Sequence, residues 1–317
     1  MITTKIEQLK DVDINKISEF LFNALQAREH KSAHTLDSIR DQFGSYFQQK
    51  DWCSIAMMGS EIVGWMFLFH YTDSMIYIES WHPVVAPGPD ESKIAIDLIK
   101  ESVKYARSSG KDRMEVFLMD LTEDRRSLYE KYRHWYETAG MPLGGEWAYM
   151  EASVSEMEIP DVEFPEGHTL VLIKDVPNEE IWPCYYETFM SSGDGRFLDQ
   201  TDAQRKENFE KFFDKSRSRV ENASILVKYG ERIIGYNQII IIEEGGFFNG
   251  IGIHPDFRGK GLGKKMILTS MKRAAESGVS KLILEVDIEN KMAINLYEKV
   301  GFKQTKGSIS HVWKRGE

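Results

Sequence analysis

The sequence predicts an α/β protein of two tandem domains of one kind, each a mixed central β-sheet flanked by helices. Three observations predict it. Apolar runs of strand character alternate with amphipathic runs of helical period. The 317 residues are enough for about two cores of ordinary size. The second half also repeats the punctuation of the first. "GSEIVGW" at 59–65 returns as "GERIIGY" at 230–236, with Gly64 and Gly235 offset by 171. "MIYIESWHP" and "FFNGIGIHP" place His82 and His254 at an offset of 172. "WYETAGM" at 135–141 matches "LYEKVGF" at 296–302, with Tyr136 and Tyr297 at an offset of 161. Several matches at nearly one offset argue for internal duplication.

In the first half each glycine turn leads into a strand, "MFLFHY" follows, then "MIYIESWHP", then the amphipathic helix "KIAIDLIKESVKYA". The stretch "ASVSEMEIPDVEFPEG" carries two prolines, a glycine and several acids with little periodicity. It sets the expected boundaries: domain one at 1–152, a linker at 153–165 and domain two at 166–317. In the second half "TLVLIKDV" reads as a strand, and "NEEIWPCYYETFM" and "DAQRKENFEKFFDKSR" read as helices. "SILVKY", "RIIGYNQIIIIE" and "FFNGIGI" are strands, with a hairpin signal at Gly245-Gly246. "GKKMILTSMKRAAESG" is an amphipathic helix stopped at Gly278. "KLILEVDI" is a strand, and "NKMAINLYEKVG" is a short helix ended by Gly301. "SHVWK" is expected to close the sheet of this half.

Composition excludes several classes. Hydrophobic residues make up 42% and charged residues 28%, as in soluble globular chains. A net charge of −10 argues against wholesale binding to nucleic acid or anionic membrane. Cys53 and Cys184 form no disulfide framework and no zinc spacing, and are expected to be buried apolar residues. His30 and His34 share a helical spacing without a third ligand, so no metal is expected. "KYRHWYE" at 131–137 lacks a basic stripe and reads as core or domain interface. The N-terminus has no apolar leader and no run is long enough to span a membrane, so the expected location is the cytoplasm.

The chemistry lies in "RGKGLG", 258–263, between a strand and a helix. Glycines let backbone N–H groups approach a ligand, and a helix N-terminus adds partial positive charge. Arg258, Lys260, Lys264 and Lys265 add full charges, which points to a phosphate or pyrophosphate. The P-loop pattern fails, because Gly259 to Gly263 is one residue short and Lys265 stands where Ser or Thr should be. The dinucleotide fingerprint fails because its third glycine falls on Lys264.

"IGIHPDFRGKGLGKKMI" instead resembles the acetyl-CoA signature of the GNAT superfamily of N-acetyltransferases, with Arg258, Gly261 and Gly263 filling [Q/R]-x-x-G-x-[G/A]. "LEVDIENKMAINLYEKVGF" resembles the family's next motif. The resemblance covers most of the second half and implies the tandem two-domain type. It implies that the amides of Gly259, Lys260, Gly261, Leu262, Gly263 and Lys264 cradle the pyrophosphate of acetyl-CoA. The strand at Ile251, Gly252 and Ile253 would pair with the pantetheine, with Asn290 beside the thiol end. It implies Tyr297 as the acid at the leaving thiolate, a role that suits a phenol still protonated at neutral pH. The base is less clear from the pattern. Phe247 stands near the place where many relatives carry a Glu. Glu285, twelve residues before Tyr297, resembles a second family solution; strand alternation puts it on one face with Asp287, where it is either buried, with its carboxyl raised, or a solvated strand carboxylate. Glu243, Glu244 or a chain of waters are alternatives.

The implied function is acetyl transfer from acetyl-CoA to a primary amine of a small molecule or peptide, by a chain expected to be monomeric. The alternatives are a non-catalytic acyl-CoA sensor and an interaction protein on a decayed fold. The acceptor segment is expected at 187–202, where Asp194, Asp199 and Asp202 favour a cation and Arg196 opposes one. Domain one has "VVAPGPDESK" in place of the glycine turn. Pro87 and Pro89 have no N–H to offer. Asp90 and Glu91 are expected to satisfy the helix N-terminus themselves. Tyr136 is then a packing residue, and domain one binds no cofactor.

Overall fold

A computed structural model describes residues 2–27, 35–45, 51–192, 195–198 and 200–316. The chain forms two compact units, Met1–Trp147 with Lys306–Glu317, and Ala148–Thr305.

The first unit runs β1 (Ile2–Gln8), α1 (Ile14–Gln26), α2 (Leu36–Ser45), β2 (Trp52–Met58), β3 (Glu61–His70), β4 (Met75–Ile78), β5 (Val84–Val85), α3 (Glu91–Ser108), β6 (Arg113–Leu121), α4 (Arg126–Thr138) and the start of β7 (Leu143–Ala152). Its sheet follows the order β1-β2-β3-β4-β6. β1 to β4 pair antiparallel, and β4 pairs parallel with β6. Strand alternation sends Leu68, Ile76, Met114 and Val116 into one core with α3 and α4, and Ile55, Trp65 and Phe67 into another with α1 and α2. The aromatic run is core: Tyr132, Trp135 and Tyr136 are all buried. Asp90 stands at the N-cap of α3 but its side chain caps nothing, and Glu91 pairs with Lys131 at 2.6 Å. The expected self-capping of α3 by these two side chains is therefore absent.

The second unit takes the end of β7, then β8 (His168–Leu172), α5 (Asn178–Met190), α6 (Gly195–Leu198), α7 (Asp202–Phe212), β9 (Ile225–Tyr229), β10 (Arg232–Ile242), β11 (Gly245–Ile253), α8 (Leu262–Glu276), β12 (Leu282–Asp287) and α9 (Lys291–Lys299). Its sheet is ordered β7-β12-β11-β10-β9-β8. α5 and α7 cover one face through an aromatic core around Tyr185, Phe209, Phe213 and Tyr236. α8 covers the other, with Met266, Ile267 and Met271 buried. Residues 153–165 hold one short turn, Val154–Glu156, and lie on this unit, with Val154 buried and Lys272 paired to Asp161.

The last strand, β13 (Lys303–Lys314), corrects one expectation. It does not close the second sheet but pairs antiparallel with β6, from Gly307↔Leu121 to Lys314↔Arg113. The reason is its apolar face: Ile309 and Trp313 enter the core of Leu118, Met114 and Tyr136. Both cysteines are free and buried, as expected. No helix among the described residues is long and apolar enough to cross a membrane. His30 and His34 lie outside the described residues, and among those described no cluster could hold a metal.

Candidate active site

The site begins as an opened sheet edge. β11 pairs with β10 from Ile242↔Gly245 to Gly235↔Ile253. On its other side it pairs with β12 only at Gly246↔Leu282 and Phe247↔Ile283, although both strands run on. Beyond Phe247 the two strands part. The N–H of His254 reaches Ile234 O at 2.8 Å, and amides alternate along a strand. The N–H groups of Ile251 and Ile253 therefore point away from β10, into the gap.

The glycine turn lies at the end of this edge. Gly259 and Gly261 have φ of 76° and 75°, the left-handed region, and a Cβ at either would meet no atom within 4 Å. Gly261 is the N-cap of α8. Among the described residues the amides of 259–264 find no acceptor, and no acid stands in the first turn of the helix. Free amides at a helix N-terminus in open space fit an anion. Leu262 anchors the turn by burying its side chain. At Gly263 a Cβ would make only ordinary contacts, 3.5 Å from Leu296.

The cations are less available than the sequence suggests. Lys260 lies near Asp256 O at 3.4 Å, Lys265 bonds Glu163 O at 2.7 Å, and Lys264 is exposed. Arg258 points its guanidinium at backbone: Nε to Ile253 O at 2.8 Å, Nη2 to Thr188 O at 3.0 Å and Nη1 to Ser191 O at 3.4 Å. It fastens the C-terminal end of α5 to the glycine turn, where a cation also complements the helix dipole.

α9 presents Tyr297. Asn290 caps it by accepting from Ala293 N at 3.1 Å, and is itself exposed in the turn that follows β12. The helix closes with Gly301 at φ 100°, Gly301 N to Glu298 O at 3.0 Å and Phe302 N to Tyr297 O at 3.0 Å. That double bond and the Tyr297–Phe302 edge contact form a Schellman end, which fixes the tyrosine. Tyr297 is 9% exposed, and burial pushes its phenol up to about 12. Its hydroxyl has no hydrogen-bond partner among the described residues.

Glu285 is exposed, so of the two readings it is the solvated strand carboxylate. Leu284 and Val286 take the core face, leaving Ile283, Glu285 and Asp287 on the other. Glu243 and Glu244 lie in the turn before β11, at the far end of the strand from Ile253. Asp202 accepts from Tyr186 and Arg205, at 3.1 and 2.7 Å, and so braces α7. Asp194, Asp199 and the side chain of Arg196 lie outside the described residues.

Sequence reading missed the network at the end of β11. His254, 2% exposed, accepts from Asp256 N at 3.3 Å through Nδ1, which leaves Nε2–H for Glu187. Arg232 lies against the same pair. Glu187 is 67 residues from His254, a separation at which local patterns are silent.

The first unit has the same parts arranged to opposite effect. α4 ends in the same Schellman geometry, Met141 N to Tyr136 O at 2.9 Å with Gly140 at φ 87°. Tyr136 thus matches Tyr297, but its hydroxyl donates to His82 O. Tyr132 donates to Pro83 O at 2.9 Å. The edge beyond β4 is stitched to β6 by Trp81 Nε1 to Met119 O at 2.8 Å and Met119 N to Ser80 Oγ at 3.2 Å.

Comparison with known proteins agrees with this geometry. The pattern of the acetyltransferase (GNAT) family matches residues 178–302. That segment, within the Ala148–Thr305 unit, is similar to the GNAT acetyltransferases. It is 26% identical over 173 residues to a mycothiol acetyltransferase of Streptomyces scabiei, covering 54% of each chain. To that of Pseudarthrobacter chlorophenolicus it is 25% identical over 237 residues, 69% of each. The match thus spans about half the length of the Streptomyces relative. In fold it resembles a GNAT protein of Sphaerobacter thermophilus, with TM-score 0.65, 13% identity, and 99% and 95% of the two chains covered. A tandem GNAT protein from the clavulanic acid biosynthesis pathway gives TM-score 0.57 at 12% identity, covering 100% and 99%.

Proposed function

We propose that the chain is an acetyl-CoA-dependent N-acetyltransferase acting on a primary amine, and that the Ala148–Thr305 unit carries the reaction. The observation that carries this reading is that one unit leaves open the amides of 259–264 and the edge of β11 at Ile251 and Ile253, and also holds Tyr297 with an unpartnered hydroxyl among the described residues. Gly259 to Lys264 receive the pyrophosphate, and Ile251 and Ile253 pair with the pantetheine amides. Gly252, between them, keeps that stretch of strand bare of a side chain. Asn290 caps α9 beside the thioester. Glu285 takes the proton that the acceptor ammonium must lose, and its exposure leaves it open to that acceptor.

Tyr297 faces the leaving sulfur. A phenol near 12 is fully protonated at working pH. Against a thiol of about 8.5, complete transfer of its proton would be uphill by about 5 kcal/mol. Tyr297 therefore acts chiefly by donating a hydrogen bond to the developing thiolate, and the net proton comes from the amine. The first unit supports the second without holding a donor, because its own tyrosines and Trp81 occupy the equivalent edge.

A panel of amines, thiol-sugars and peptides incubated with acetyl-CoA, read as free-thiol release, tests this. Release that depends on an amine supports the reading. Binding of acetyl-CoA without release from any acceptor would favour a sensor.

A further inference from the structure

We infer that Tyr236 is a second hydroxyl of the active site, donating a hydrogen bond to the acyl carbonyl oxygen of the bound donor as negative charge develops there. This rests on the function proposed above, and three observations on the molecule carry it.

The first is placement. Tyr236 on β10 is the cross-strand partner of Gly252 on β11. A Cβ at Gly252 would lie 2.6 Å from Tyr236 Cε1 and 2.7 Å from its Cζ, and one at Gly250 would lie 3.5 Å from Cε2. The ring therefore lies across β11 in the space that two glycines leave free. Its hydroxyl is one bond beyond Cζ, over the stretch of β11 at Gly250 and Gly252, where β12 no longer pairs with that strand.

The second is that the hydroxyl is idle. Tyr236 is completely buried, and its oxygen has no hydrogen-bond partner among the described residues. Buried polar atoms in folded proteins are overwhelmingly paired, so an unpaired phenol held inside an aromatic cluster calls for a ligand. The ring alone would satisfy that cluster, where it packs on Tyr185 and Phe213.

The third is chemical state. Burial, with Tyr185, Cys184 and Tyr297 nearby, raises the phenol well above its ordinary value. It stays neutral and can donate. In the transfer, the amine nitrogen forms a bond to the carbonyl carbon and the carbon–sulfur bond breaks. The amine proton leaves to the base, and the sulfur departs as thiolate beside Tyr297. Tyr236 moves no proton. It holds the carbonyl oxygen, together with the strand amides at the open edge, while the charge is on it.

Tyr236→Phe in the full chain tests the inference without relying on turnover alone. Infrared spectra of acetyl-CoA carrying 13C at the thioester carbonyl report the hydrogen bond directly. The band should lie lower in frequency in the wild-type complex than in the variant. Acetyl-CoA should bind the wild type about fivefold more tightly than its S-ethyl thioether analogue, which lacks the carbonyl, and the variant should lose that preference. With an active acceptor, kcat should fall on the order of a hundredfold. The thermal midpoint should not fall, because the deleted hydroxyl has no partner to lose. An unchanged carbonyl band and thioether preference would overturn the assignment. So would a midpoint that falls together with kcat, since that marks a structural hydroxyl. A wild-type chain that binds no acetyl-CoA would instead defeat the proposed function, and this inference with it.

Discussion

Replacing Arg258 with alanine separates two jobs that one guanidinium could do. In the structure its strong bonds run to Ile253 O at 2.8 Å and Thr188 O at 3.0 Å, with a weaker one to Ser191 O at 3.4 Å. A charged donor to a carbonyl contributes about 1.5–3 kcal/mol. Two such bonds, discounted for a half-buried side chain, give a loss of about 3 kcal/mol. For a unit of this size each kcal/mol moves the midpoint by roughly 2–4 °C, so the transition of the Ala148–Thr305 unit should fall by roughly 6–12 °C. Calorimetric scanning of the cofactor-free chain reads this directly. Arg258→Lys should recover little, because an ammonium cannot reproduce the fork that spans backbone acceptors on β11 and at the end of α5. Acetyl-CoA affinity should fall less than about tenfold, reflecting only a loosened turn. A variant with an unmoved midpoint and affinity reduced on the order of a hundredfold or more would refute the reasoning, and would place the guanidinium on the phosphate.

Tyr297→Phe should lower kcat on the order of tenfold to several hundredfold with acetyl-CoA affinity nearly unchanged, as steady-state kinetics and calorimetry would show. The same variant has a signature in alkali. The folded phenol titrates near 12 against about 10 when unfolded, so wild type loses stability as pH rises from 10 to 12, by about 2–3 kcal/mol at most. The Phe variant should escape that share of the loss in urea unfolding at pH 9 and pH 11.5. Gly261→Val puts a β-branched residue at φ 75° and a side chain into the cradle, so acetyl-CoA affinity should drop at least about tenfold. Unchanged affinity in a folded Val variant would remove the turn from the site. Glu285→Gln should lower kcat on the order of tenfold or more with acetyl-CoA affinity unchanged, and an unchanged kcat would move the base elsewhere.

The sequence showed most of what local chemistry controls. The Gly259–Gly261 turn and the Gly301 stop are read from residue types, because glycine at positive φ is a near-necessity of the backbone, whereas the capping role of Asn290 came only with the structure. The duplication was legible too, and it extends to matching Schellman ends at Tyr136 and Tyr297. What stayed hidden depends on long-range contacts. "SHVWK" has the alternation of a strand, but alternation does not name a partner, and the partner of Ser310, Phe117 on β6, lies 310 − 117 = 193 residues before it. Arg258 matched a phosphate pattern while its geometry depends on carbonyls 67 and 70 residues away. Alternation placed Glu285 and Asp287 on one face of their strand, but not whether that face is covered, and the structure leaves Glu285 exposed. Tyr236 had a signal that was visible but ambiguous: Gly235-Tyr236 repeats Gly64-Trp65, and in the first unit Trp65 is simply core.

The central claim is that one unit of the pair keeps an acyl-donor site and the other has closed it with its own side chains. Isothermal titration of the purified, cofactor-stripped full chain with acetyl-CoA tests this most directly. The account predicts a single class of site at one acetyl-CoA per chain, weakened by Gly261→Val. A stoichiometry near two, or a single site indifferent to Gly261, would contradict it.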